Sequence, residues 1–303
     1  MGIEVQTVKL LLLARRLGVD FTSTLTIGRQ DVLATPDQAA SVFARFGEKI
    51  TDHEARTMSG KDDPFSDALF RKLGARSVDA MDISDFEGAT LIHDLNRPLP
   101  PDQSRRFSLV FDGGTLEHVF ANTTALATYM SLVEVGGHLI VAVPANNEMG
   151  HGFVQFSPEY FFRTLTAANG YRIEGLFLAP MFVDADWLLA RDPASVGARV
   201  GHNGATRSTY IFVVAQRFAA EPIFATSPQQ SDYAADWARL ADRAGQGHGG
   251  KPGLKARVAS KLPRKLVDAL VGIRKITARP DPRHLAPFTP ERAEPSLAGR
   301  QPE

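Results

Sequence analysis

The chain has 303 residues, 44% of them hydrophobic, and its 34 basic side chains balance 34 acidic ones, so the molecule as a whole has no charge that would draw it to nucleic acid. It contains no cysteine, which excludes disulfides, thiolate metal sites and cysteine nucleophiles. The longest apolar cluster, residues 10–14, is far too short to span a bilayer and no cleavage site comes after it, so a cytoplasmic protein is expected.

Residues 1–20 alternate apolar and basic groups and predict a short amphipathic helix at the domain edge, with Val5, Val8, Leu12 and Leu13 on one side. Residues 21–27, rich in Thr and Leu, predict a first strand that ends at Gly28-Arg29-Gln30. Thr35 and Pro36 suit the cap and first turn of a helix buried through Ala39, Val42, Phe43 and Phe46. The charged stretch 48–63 predicts a loop, and 65–73 a second helix closed by Gly74. Strands are expected over 77–83, carrying Asp82 and Ile83 at its end, and over 90–95, carrying His93, Asp94 and Leu95. Prolines 98, 100 and 101 stop the second of these, because proline lacks the donor that a ladder needs.

Residues 107–118, FSLVFDGGTLEH, form the organising stretch of the chain. Their apolar run predicts a strand buried on both faces, stopped by Asp112-Gly113-Gly114 and succeeded by a helix over 115–134. Gly136-Gly137 then leads into a strand over 138–143, and Ser157 caps a helix over 158–170. Further strands are expected over 171–178 and 207–217. Strands alternating with helices predict an α/β chain with a doubly wound, mostly parallel Rossmann-like sheet, its last strand antiparallel at or near an edge.

The chain is expected to divide into an N-terminal helix (1–20), an α/β domain (21–220), a helix with a Gly-rich linker (221–250), and a basic helical segment with a disordered, proline-rich tail (251–303). From Lys251 onward 12 Lys/Arg face 5 Asp/Glu, a balance of 12 − 5 = +7. That basic helix docks on its own domain, touches a partner, or lies on an anionic surface.

The motifs FSLVFDGGTLEHVF, SLVEVGGHLIVAVPANN, GHGFVQFSPEYFFRTLTAANGY and DISDFEGATLIHDLN resemble class I S-adenosylmethionine-dependent methyltransferases, nearest to small proteins found beside glycan and secondary-metabolite genes. The resemblance covers roughly residues 22–217. It implies S-adenosylmethionine as cofactor and methyl transfer to a small polar acceptor such as a sugar or a secondary metabolite. Two departures, Ser108 for the usual Asp and Val135 for the usual Pro, touch no expected ligand group. A third matters more: of the family's Gly-x-Gly-x-Gly loop only Gly28 survives, with Arg29, Gln30, Asp31 and Val32 after it. Either the cofactor sits differently, with Arg29 or Gln30 meeting its carboxylate, or the fold is a catalytically silent binding or scaffold protein.

By carry-over, Asp82 with Ile83 matches the acid that accepts both ribose hydroxyls, since a carboxylate offers two acceptor oxygens. Asp94 with Leu95 matches the group that meets adenine, and Asp112, Gly113 and Gly114 the strand end that faces the methyl-bearing sulfur. Each also has a structural reading: a cap at Asp82, an Asx-turn at Asp94, a tight turn at Gly28 and at 112–114. His118 and His151 are candidate bases, because an imidazole titrates near pH 6.5, and Glu117 joins them as a candidate catalytic acid or a helix-start acid. Asn146, Asn147 and Gln155 are candidates to orient a polar acceptor such as a sugar, the alternative being loop amides that bond only their own backbone. Metal-assisted hydrolysis through His93-Asp94, Glu117-His118 and His151 has no ligand spacing behind it, and no metal is expected.

Overall fold

The computed structural model describes residues 2–60, 63–103, 105–197, 199–202, 205–237 and 282–294. Strand β1 (Gly2–Ile3) leads into helix α1 (Val5–Arg16), then β2 (Ser23–Ile27) and β3 (Asp31–Val32), which pairs with β1. Helices α2 (Pro36–Arg45), α3 (Asp52–Met58) and α4 (Asp67–Leu73) come next. Thr35 makes the expected cap at α2, accepting from the Gln38 backbone N–H, while Gly74 ends α4 at φ 118°. Within the stretch expected to be a loop, Thr51 and Glu54 close a second reciprocal capping box, and this is what starts α3.

The main sheet has the order β11-β9-β8-β10-β7-β6-β2-β4-β5. Its parallel half comprises β2, β4 (Ser77–Asp82), β5 (Leu91–Ile92), β6 (Phe107–Asp112) and β7 (Val133–Asn146). Counted in chain order, these five strands lie 3-2-1-4-5, and the winding reverses between β2 and β6, the position where such sheets bind ligands. β8 (Tyr171–Pro180), β9 (Trp187–Ala190), β10 (Thr209–Arg217) and β11 (Leu285–Phe288) form an antiparallel half.

Helix α5 (Asn122–Leu132) and helix α6 (Pro158–Thr164) cover one face of the sheet; a short turn of helix, α7 (Pro193–Val196), succeeds β9. Alternation along the strands divides the core. Leu109, Phe111, Ile140 and Phe212 join α1, α2 and α4 on one side, and Val110, Val141, Ile211 and Val213 join α5 and α6 on the other.

The structure corrects several expectations. The last long strand, β10, is antiparallel but lies inside the sheet, between β7 and β8. The predicted helix over 115–134 breaks into a 3-10 turn (Leu116–His118) and α5, and Val133 already belongs to β7. The helix expected over 158–170 likewise stops at Thr164 and resumes as a 3-10 turn, Ala167–Asn169. Part of the tail expected to be disordered supplies strand β11, which pairs with β9. Helix α1 is buried from Val5 to Ala14 on every side instead of through one apolar face. Its Lys9 is 1% exposed and lies 3.2 Å from Asp184 and 3.6 Å from Glu291, the pairing that a buried ammonium requires. Beyond β10 a helix occupies 231–237; the glycine-rich linker and the basic segment 251–279 lie outside the described residues.

Candidate functional site

The carboxyl ends of β2, β4 and β6 bring three of the expected residues, Gly28, Gln30 and Asp82, together. Gly28 turns the chain at φ 70° and donates its N–H to the Met81 carbonyl at 2.7 Å. A Cβ at Gly28 would lie 3.3 Å from the Thr115 hydroxyl, 3.6 Å from the Gln30 amide nitrogen and 3.9 Å from the Asp82 carboxylate, so glycine here allows three polar groups to converge. One oxygen of Asp82 accepts from the Ile83 N–H at 2.6 Å, and the Ile83 side chain is exposed.

The residues after the lone glycine part company. Arg29 turns away from the strand ends, pairs with Asp67 at 3.2 Å and stacks its guanidinium over Phe65, so it does not offer its charge to the crevice as the sequence reading allowed. Gln30 faces inward, 3% exposed, and donates from Nε2 to the Ile27 carbonyl at 2.6 Å. Its Oε1 is buried without a hydrogen-bond partner among the described residues and fills the space in front of Gly113, where a Cβ would overlap it. Val32 packs into the core beside α1 and takes no part in the crevice.

Asp112 is fully buried, and its carboxylate accepts three backbone N–H groups, from Gly114 at 2.9 Å, Thr115 at 2.7 Å and Leu116 at 3.1 Å. It therefore builds the turn that carries Glu117 and His118. Burial pushes its carboxyl up to about 6 against those donors. Asp94 makes the Asx-turn, accepting from the Asn96 backbone and side chain at 3.0 Å, and Leu95 belongs to the core. Asn147 donates to the carbonyls of Ala205 and Arg207, Asn146 accepts from the Asn147 N–H, and Gln155 accepts from the Glu148 N–H. These three amides shape their loops.

At the mouth, Glu117, His118 and His151 meet. Glu117 is fully buried, with Oε1 3.4 Å from His151 Nε2 and 4.0 Å from His118 Nε2. Burial, reinforced by the charge of Asp112, pushes Glu117 up to about 8, while burial and His151 push His118 down. The two rings stand edge to face with centroids 4.7 Å apart. Gly152 makes the approach possible: at φ 72° a Cβ would strike the Glu117 backbone, and the next N–H, Phe153, donates to the Glu117 carbonyl at 2.7 Å. Phe120 and Phe153, exposed by 80% and 68%, pack edge to face beside the trio.

No family model matches this sequence, and no curated protein does. Among solved structures the chain is similar to a branched-chain polyamine synthase mutein from Thermus thermophilus in complex with N4-aminopropylspermidine and 5'-methylthioadenosine, at 15% identity and a TM-score of 0.37, over 74% of this chain and 59% of that one. It is similar to TehB from Haemophilus influenzae at 7% identity and TM-score 0.34, over 69% of this chain and 61% of that one. The chain thus spans less than two thirds of the length of both. A third likeness, at 16% identity and TM-score 0.35 over 71% and 79% of the two chains, is to 1,6-didemethyltoxoflavin-N1-methyltransferase from Burkholderia thailandensis with bound 1,6-didemethyltoxoflavin and S-adenosylhomocysteine. The class I methyltransferase resemblance rests on the sequence motifs and the strand order, and it is a resemblance of fold.

Sequence reasoning missed Thr115, whose hydroxyl donates to the Ile27 carbonyl at 3.0 Å and ties β2 to the turn after β6. It also missed the exposed Phe120–Phe153 pair; the signal for it was the glycine run around His151, which brings the second ring onto the first. Among the described residues no helix is long and apolar enough to cross a membrane.

Proposed function

We propose that this chain transfers a methyl group from S-adenosylmethionine to a small polar acceptor such as a sugar or a secondary metabolite. The observation that carries the reading is the convergence of Gly28, Asp82 and the Asp112–Gly114 turn where the sheet's winding reverses. Asp82 stands at the end of β4 with one oxygen beside Gly28, the arrangement that receives vicinal ribose hydroxyls. Gly113 and Gly114 put no side chain of their own at the end of β6, where Gln30 is the neighbour a ligand would have to displace, and Glu117, His118 and His151 supply the polar groups for the acceptor. S-adenosylmethionine brings the activated methyl; the chain's own part is to align donor and acceptor and to receive a proton.

The test is calorimetric titration of the full chain with S-adenosylmethionine and S-adenosylhomocysteine. Binding is expected, and Asp82→Ala should weaken it by about 1–3 kcal/mol, the cost of a lost charged hydrogen bond. Absence of binding at millimolar ligand refutes the donor site, and unchanged affinity in Asp82→Ala refutes the role of Asp82. One observation favours a second reading, a silent binding or scaffold protein: Gln30 fills the space before Gly113 that a methionine moiety would need. The same titration separates the two.

A further inference from the structure

The crevice mouth holds a group that the protein itself does not satisfy. Glu117 is fully buried, yet among the described residues neither of its carboxylate oxygens has a hydrogen-bond donor, and His151 Nε2, which faces it, is also buried and unpartnered. A buried carboxylate that is to be ionised costs several kcal/mol unless something positive meets it. Among the described residues no lysine or arginine pairs with it; the groups facing it are the two imidazoles. Every ligand atom of the trio lies within 4.8 Å of the others.

We propose that Glu117, His118 and His151 form a binding site for a divalent first-row transition metal such as zinc. One carboxylate and two imidazoles are the donors such ions select. Ligand atoms about 2.0–2.1 Å from a tetrahedral ion stand about 3.3 Å from one another. The Glu117–His151 separation of 3.4 Å already matches, and the 4.0 Å to His118 closes with a small ring rotation. The two histidines have that freedom, being 46% and 31% exposed, whereas Glu117 is fixed by the turn that Asp112 builds and by the Phe153 bond to its carbonyl. Gly152 brings the 151–153 loop close enough for His151 to reach a residue from a different strand end.

Three protein ligands leave at least one coordination position for water or for an oxygen of a small molecule. A bound acceptor hydroxyl would lose its proton more readily there. That use of the metal rests on the methyl-transfer reading; the metal site itself does not, and its test contains no methyl donor.

The experiment uses the full chain, stripped with chelator and dialysed, and titrated with zinc chloride by calorimetry and with cobalt(II) by visible absorption. One equivalent should bind with a dissociation constant in the micromolar range or tighter, and cobalt should give tetrahedral d–d bands. Glu117→Gln, His118→Ala and His151→Ala should each weaken zinc binding at least tenfold, and His53→Ala, at an exposed position on α3, should not. Circular dichroism reports folding; should a variant at Glu117 or His151 unfold, His118→Ala, at a half-exposed side chain, decides the matter. Wild type that binds no zinc, or folded His118→Ala that binds it with unchanged affinity, overturns the assignment.

Discussion

Asp112→Ala sets two opposing effects against each other. The carboxylate accepts three backbone N–H groups, and leaving each of these without a partner costs roughly 1–2 kcal/mol, about 3–6 kcal/mol in all. Against this, burial raises the folded carboxyl from its ordinary 3.8 to about 6. A raised acid holds its proton longer in the folded state, so the wild type loses stability as pH rises between those values, by about 3 kcal/mol in total. The variant has no such group. Its destabilisation should therefore be smallest at pH 8, about 0–3 kcal/mol, and larger at pH 5, where roughly half of the wild-type loss has been regained. Urea unfolding monitored by circular dichroism, with chelator present, measures both proteins at both values. A destabilisation larger at pH 8 than at pH 5 would show that the three N–H donors hold the carboxylate ionised, and the reasoning from burial would fail.

Lys9→Ala should cost about 1–3 kcal/mol in the same assay, because its charged hydrogen bonds to Asp184 and the Ala185 carbonyl are lost while Arg45 still pairs with Asp184 and Glu291; an unchanged stability would mean that water already replaces those bonds. Gly170→Ala should destabilise by at least about 1–3 kcal/mol, since φ is 76° and the new Cβ would overlap the Ala219 carbonyl; a neutral melting temperature would contradict this. Gln30→Ala removes the side chain in front of Gly113 and should tighten binding of S-adenosylhomocysteine in calorimetry, whereas weaker binding would make Gln30 a ligand-holding group.

Much of the sheet was legible because its signals are local. Buried strands announce themselves as apolar runs, α2 by its Thr-Pro start and α4 by Gly74. What escaped depends on partners far along the chain. Nothing within α1 says that its polar residues are buried, because Gln6 and Lys9 are satisfied by residues 183–185. Strand β11 contains Pro287 in a proline-rich setting and exists only because the edge of β9 is there to pair with. At the site, Asp82 and the 112–114 turn were placed by their positions at strand ends. The direction of Arg29 was not, since the choice between the crevice and Asp67 is settled by where α4 packs. Glu117, His118 and His151 were named as candidates from their places after strand ends, but the distances at which they meet are encoded by no sequence spacing and depend on the Gly152 contact.

The burial of α1 also constrains the order in which the molecule can be completed. Arg16 donates to the Glu291 carbonyl across 275 residues of sequence, and Glu291 also faces Lys9. During synthesis the first helix emerges long before that cover exists, so its ammonium and apolar faces must wait, partly solvated, until residues 282–294 have been made. The sheet's parallel half can assemble early, but closure over the first helix is a late event, and a ribosome-stalled chain lacking residues 282–294 should show that helix as the part most open to proteolysis.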